Sequence, residues 1–190
     1  EGSNPWWKRD VMEGELGCGL SHVDAWVDSY RRGLEVTLIL EEDFHEEMPV
    51  DWKQIDKLFK KGYDLIYLGR NALEAALEKP IKDVKGWVEP DYTYNSHAYI
   101  LSKRGVQILV EEYMEQYKKE MFAFDEFLTL TFGMTHRQDI LQEYEGKTRL
   151  KAAAPIRDHY TQKDSPGLTF YIKPTQPSFG DLLGKPPGVR

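Results

Sequence analysis

Three consecutive carboxylates, Glu41-Glu42-Asp43, stand directly after the apolar run Val36-Thr37-Leu38-Ile39-Leu40. Carboxylates this close repel one another, and their charged forms are costly unless something positive offsets them. A divalent cation carrying a diphosphate would do so, because hard cations take oxygen ligands. The competing reading is a solvated turn after a strand, the usual fate of a charge run. The apolar run is rich in large and β-branched residues and fits a strand in the middle of a parallel sheet. In such sheets ligands sit beyond the carboxyl ends of the strands, which is where these acids stand.

The elements that must position them follow from periodicity. Gly14 to about Arg32 is predicted to be a helix, with Leu16, Leu20, Val23, Val27 and Tyr30 as its apolar stripe and Gly33 just past its end. After the strand at 36–40, residues 49–61 read as a second helix carrying Ile55, Leu58 and Phe59. Asp64–Gly69 is a second short strand, which places Arg70 at the same edge as the acids. Residues 71–90 are punctuated by Pro80, Gly86 and Pro90 and read as loop. Ala98–Leu101 is a third strand, and Ser102 is placed to cap a helix over 105–118. A helix from Phe124 and a last strand near Ala152–Ile156 complete the pattern. Helices alternating with short apolar strands predict an α/β sandwich around a mostly parallel sheet.

The chain has 190 residues and suits one domain with a real core. Its net charge of -7 argues against general nucleic-acid binding, which needs a basic surface. No run of about 18 apolar residues occurs, so no membrane span is expected. The single cysteine, Cys18, allows no intramolecular disulfide, and between Gly17 and Gly19 it reads as a packed small hydrophobe. Trp6 and Trp7 read as an N-terminal anchor or as rings that stack on sugar. The division expected is a domain over 1–173 and a Pro/Gly-rich tail over 174–190. That tail reads as a poorly structured end or an arm packing on a neighbour, which leaves a homodimer open.

Gly14-Glu15-Leu16-Gly17-Cys18-Gly19-Leu20-Ser21-His22, then Trp26, then Leu38-Ile39-Leu40-Glu41-Glu42-Asp43 resemble the glycosyltransferase family 25 pattern. Asp64-Leu65-Ile66-Tyr67-Leu68-Gly69-Arg70, Val88-Glu89-Pro90-Asp91-Tyr92-Thr93-Tyr94, Ala98-Tyr99, Ser102, Gly105 and Asp125-Glu126-Phe127-Leu128 continue it in order. His159-Tyr160-Thr161 resembles the family's histidine segment near the domain end. The resemblance spans roughly residues 8–165 and leans toward the procollagen galactosyltransferase branch. It has two departures. The middle acid is Glu42 where the family has Asp, which moves a carboxylate by about one C–C bond. The family's first strand and basic loop would also precede Glu1, so the fold implied is a GT-A-like, Rossmann-type sandwich without that strand.

The resemblance implies a transferase that uses Mn²⁺ to move a sugar, galactose in the collagen branch, from a UDP-sugar to hydroxylysine in collagen or a collagen-like protein. Glu41, Asp43 and His159 are then the expected metal ligands, since Mn²⁺ accepts carboxylate and imidazole. An exposed histidine beside Asp158 is the alternative for His159. Asp125 is the expected base that takes the acceptor hydroxyl's proton, with helix capping as its alternative. Ser21, His22, Glu41, Arg70 and Asn95 are the expected nucleotide and sugar contacts, with Ser96 and His97 beside Asn95. Ser21 and His22 read equally as a hydrogen-bonded pair inside a helix, and Arg70 as a surface arginine. Two other functions stay open: a weakly active or inert member used as a binding module, and a lipooligosaccharide-type transferase. The sequence does not record a compartment; collagen-modifying members work in the endoplasmic reticulum lumen.

Overall fold

The computed structural model describes residues 3–4 and 9–162, so Trp6-Trp7 and the tail over 174–190 lie outside the described residues. Ser3–Asn4 (β1) pairs antiparallel with Arg9–Asp10 (β2). Helix α1 follows at Glu13–Arg32, and Gly33 ends it in the left-handed region (φ 62°) that a residue without Cβ adopts freely. Its buried face differs from the expected stripe: Gly19, His22, Val23, Ala25, Trp26 and Ser29 are buried, whereas Leu20 and Tyr30 are exposed. The cause is close packing at Gly19, where a Cβ would lie 2.3 Å from the Tyr117 hydroxyl oxygen. The helix turns its bare position inward and carries a histidine and an indole in with it.

The remaining elements are Val36–Leu40 (β3), Phe44–Glu46 (β4), Trp52–Lys60 (α2), Leu65–Ala72 (β5), Lys79–Pro80 (β6), Trp87–Glu89 (β7) and Thr93–Ser102 (β8). Lys103–Ile108 (α3), a π-helical turn at Leu109–Tyr113, Met114–Lys119 (α4), Phe124–Thr131 (α5), Gln138–Leu141 (α6), Ala152–Pro155 (β9) and Tyr160–Gln162 (β10) follow. Two helix starts follow from capping: the Asp51 carboxylate accepts from the Lys53 N–H (3.0 Å), and the Ser102 hydroxyl accepts from the Gly105 N–H (3.0 Å).

The main sheet has six strands in the order β3-β8-β5-β9-β7-β6. It is mixed, not mostly parallel: only β5 and β9 pair in parallel. A parallel neighbour needs a crossover, usually a helix. Residues 73–92 contain only a 3₁₀ turn and two short strands, so the chain returns antiparallel beside β5 as β8. What the sequence reads as the short strand 98–101 is the end of this ten-residue strand, inserted between β3 and β5.

The expected site edge survives this correction. β3 and β5 are both antiparallel to β8, and β9 is parallel to β5, so all three end on one side. Glu41 and Arg70 therefore stand at the same edge. The ribbon β4–β10 lies there as well, tied in by the His159 N–H, which donates to the Leu68 carbonyl (2.8 Å). Alternation splits the core between the faces. Leu65, Tyr67, Tyr99 and Leu101 pack with α1, the α3–α4 stretch and α5, and Ile66, Leu68, Ala98 and Ile100 with α2 and Trp87. Each of the leucines and isoleucines contributes about 1.5–3 kcal/mol on burial.

The β5–β8 pairing is irregular only near the site edge. Its register shifts between Tyr67 and Gly69 and again between Gly69 and Asn71. Asn95 sits in this stretch with φ 64°, a conformation asparagine tolerates better than most residues. Bulges re-aim side chains, and this one governs how Asn95, Ser96 and His97 are presented.

Candidate active site

Of the neighbours Ser21 and His22 on α1, one is buried in the core. It is His22, fully buried and stacked on the Phe124 ring at 4.0 Å. Its Nδ1 is 2.8 Å from the Tyr99 hydroxyl, to which the Trp26 indole N–H donates at 3.1 Å. Burial pushes the Tyr99 phenol well above its ordinary pKa, so it keeps its proton. With Trp26 donating to the phenol oxygen, that proton goes to Nδ1, and the His22 Nε2–H is left to donate to Glu41 Oε1 at 3.2 Å. The relay from Trp26 through Tyr99 and His22 holds one oxygen of Glu41 in place.

Glu41 begins a tight turn: its N–H donates to the His97 carbonyl (2.8 Å), and its own carbonyl accepts from the Phe44 N–H (3.2 Å). The Ser96 hydroxyl lies 3.1 Å from Glu41 Oε1 and 3.1 Å from Asp125 Oδ1. Two carboxylates from distant segments thus share one hydroxyl proton. Their pKa values part. Burial raises Glu41, but the hydrogen bonds from His22 and Ser96 and the nearby His97 outweigh it and leave the carboxyl below its ordinary value. Asp125 is raised, first by burial and then by the Glu41 charge, against the opposing Ser96 hydroxyl and Asn95 N–H. Asp125 stands in the first turn of α5 but does not cap it; Ala123 holds that position.

The C-terminal ribbon closes the arrangement. Gln162 Nε2 lies 3.3 Å from Glu41 Oε2 and 3.2 Å from Asp43 Oδ2, and its Oε1 accepts from Asn95 Nδ2 at 2.8 Å. Asp43 Oδ1 is buried with no hydrogen-bond partner among the described residues. One neutral amide serving two carboxylates, beside an unpartnered carboxylate oxygen, is an oxygen donor set that a hard divalent cation fits. The sulfur of Cys18, His22 and Glu41 also offer ligand atoms within 4.8 Å of one another. The thiol packs against the first core as the sequence suggests, and both His22 ring nitrogens are engaged.

His22, Glu41, Asp43, Asn95 and Asp125 are therefore brought together, and three expected residues are not. The Ser21 hydroxyl donates to the Gly17 carbonyl one turn back (2.8 Å). Arg70 is buried in a two-pronged pair with Glu78 (2.5 and 2.9 Å), so its fork is committed to an acid rather than a phosphate. His159 packs on Trp87, ring centroids 5.9 Å apart, because its backbone is fastened to Leu68 and turns the ring toward the second core. It does not join Glu41 and Asp43 in a ligand cluster. The C-terminal segment does fold back over the acids, but it delivers Gln162. Sequence reasoning missed Gln162 and the Tyr99 hydroxyl. A neutral amide 119 residues from Asp43 carries no local signal, whereas Tyr99, on the same strand as Ser96, could have been found from its place in the quoted motif.

Paired acids, a buried His–Glu contact and a shared hydroxyl thus meet at one edge of an α/β sheet. No family model matches the chain. It is 30% identical over 187 residues to procollagen galactosyltransferase 1 of Danio rerio, an alignment covering 93% of this chain and 30% of that protein. It is 33% identical over 187 residues to procollagen galactosyltransferase 2 of Mus musculus, covering 92% and 28%. A glycosyltransferase 25 family member of Aedes aegypti is 28% identical over 185 residues, covering 93% and 29%. The chain belongs to the glycosyltransferase 25 family, on its procollagen galactosyltransferase side. It spans about 30% of the length of these curated relatives.

Proposed function

We propose that this chain is a GT-A-like, metal-dependent glycosyltransferase unit that moves galactose from UDP-galactose to hydroxylysine in collagen or a collagen-like protein, in the endoplasmic reticulum lumen. The observation that carries the reading is the convergence of Glu41 Oε2 and Asp43 Oδ2 on Gln162 Nε2, next to the unpartnered Asp43 Oδ1. The likeness to procollagen galactosyltransferases supplies the donor and acceptor classes.

Glu41 and Asp43 would hold Mn²⁺, which as a Lewis acid stabilises the departing diphosphate. Glu41 is positioned for this by His22 and Ser96, which occupy Oε1 and leave Oε2 on the ligand side. Asp125 takes the acceptor hydroxyl's proton as that oxygen attacks the anomeric carbon. Burial makes its carboxylate a stronger proton acceptor than an exposed aspartate. When Asp125 becomes protonated, the Ser96 hydroxyl is free to serve Glu41 alone, which limits the charge left between the acids.

Incubation with Mn²⁺, UDP-galactose and a hydroxylysine-containing collagen peptide should release UDP and add one hexose to the peptide by mass. Failure to bind any UDP-sugar in the presence of Mn²⁺ would remove the reading. Asp43→Ala should abolish Mn²⁺-dependent UDP binding in calorimetry, and unchanged binding would take Asp43 out of the metal site.

A further inference from the structure

The residue after Asp125 on α5 enters a second polar cluster that the transfer chemistry does not use. Glu126 is fully buried. Its Oε1 accepts from the hydroxyls of Tyr92 (2.7 Å) and Tyr94 (2.7 Å), whose oxygens are 2.9 Å apart. Its Oε2 has no hydrogen-bond partner among the described residues. A buried carboxylate oxygen left without a partner is costly and calls for an explanation, of which an incoming cationic partner is one.

The two phenols face that charge with their protons. Burial first, with Glu126 contributing, pushes Tyr94 up to about 12 and Tyr92 higher still. Each donates its proton to Glu126, which leaves the phenol oxygens as acceptors and enriches the rings in electron density. Tyr92 also stacks on His136, centroids 4.2 Å apart and planes 19° apart, and His136 Nε2 lies 3.2 Å from Glu74 Oε1. Leu73 and Met134, on the two segments that this His–Glu contact joins, are exposed apolar side chains. The Thr129 hydroxyl donates to the Thr93 carbonyl (2.7 Å) and fastens α5 to the start of β8. Asp125 contributes to the electrostatics of Tyr94, which places the cluster beside the proposed base.

We propose that Tyr92, Tyr94 and Glu126 form a subsite for a primary ammonium on the acceptor, lying against the phenol oxygens and ring faces with Glu126 as its compensating charge. An ammonium brings three donors and no acceptor, which matches lone pairs, π faces and a carboxylate short of one partner. Leu73 and Met134 would contact the peptide that carries it. The substrate class rests on the transferase reading: hydroxylysine holds its reacting hydroxyl next to its ε-amine, as Asp125 stands next to Glu126.

The test is calorimetric binding to the 190-residue chain of two collagen-like peptides that differ only in whether the hydroxylysine ε-amine is free or acetylated. The acetylated peptide should bind about tenfold or more weakly. Glu126→Gln and Tyr94→Phe should lower the affinity of the free-amine peptide toward that value and leave the acetylated one unchanged. Equal affinity of the two peptides for the unmutated chain, or no binding of either, would overturn the subsite whatever the variants do. The transferase reading fails on a different result, the absence of Mn²⁺-dependent UDP binding.

Discussion

Glu41 and Asp125 lie within reach of one serine proton, and their surroundings drive them apart. Glu41 is held ionised by His22, which Tyr99 and Trp26 fix in one orientation. Asp125 is raised by burial and by the Glu41 charge. One carboxyl group held ionised and one raised toward protonation thus arise from the same functional group in two environments. Asp125→Asn should retain UDP affinity, since Asp125 is not among the proposed Mn²⁺ ligands, while turnover falls by about 100-fold or more. Calorimetry beside a transfer assay checks both halves, and normal turnover would return Asp125 to a structural role.

At the scale of elements, the bulged β5–β8 edge and the β4–β10 ribbon place these residues. Gly69 is where they meet: a Cβ there would lie 2.1 Å from His97 Nε2 and 2.2 Å from the Tyr160 carbonyl oxygen, which are hydrogen-bonded to each other at 3.0 Å. Gly69→Ala must push β10 outward, and Gln162 with it. Stability should fall by about 1–3 kcal/mol in denaturant unfolding, and Mn²⁺-dependent UDP affinity should fall too, although residue 69 touches neither acid. Retained UDP affinity in a destabilised variant would separate the ribbon from the site. The sequence shows a glycine after a strand, and its need for close approach appears only when the His97 ring and the Tyr160 carbonyl are in place. α1, β3, α2 and the Ser102 cap are legible from periodicity and capping, because those signals are local. β10 is not: three polar-flanked residues become a strand only because β4 is there to pair with them.

For the whole molecule, pH separates the two acids again. The folded pKa of Glu41 lies below its ordinary 4.5, so its ionised form stabilises the fold above that pH, and the contribution is lost as pH falls through the lower folded value. Asp125 runs the other way. Its folded pKa lies above 3.8, so its stabilising effect is fully present below that value and is lost as pH rises through the folded pKa, beyond which its charge opposes folding. Asp125→Asn should therefore raise Tm by a few degrees at pH 7, with the gain shrinking toward zero near pH 4. An equal Tm shift at both pH values would show that the change acts through packing instead of charge.

By itself the sequence determined the family pattern, the helices with local caps, the apolar strand before the acids and the shared edge of Glu41 and Arg70. Each is written in neighbouring residues. Tertiary structure alone decided which polar groups meet. Whether Arg70 faces a phosphate or Glu78, whether His159 or Gln162 reaches the acids, and whether β8 runs parallel or antiparallel depend on chain reversals tens of residues away. The physical reason is that a side chain's partners are set by strand direction, by bulges that shift register, and by the few positions without a Cβ where backbones can close.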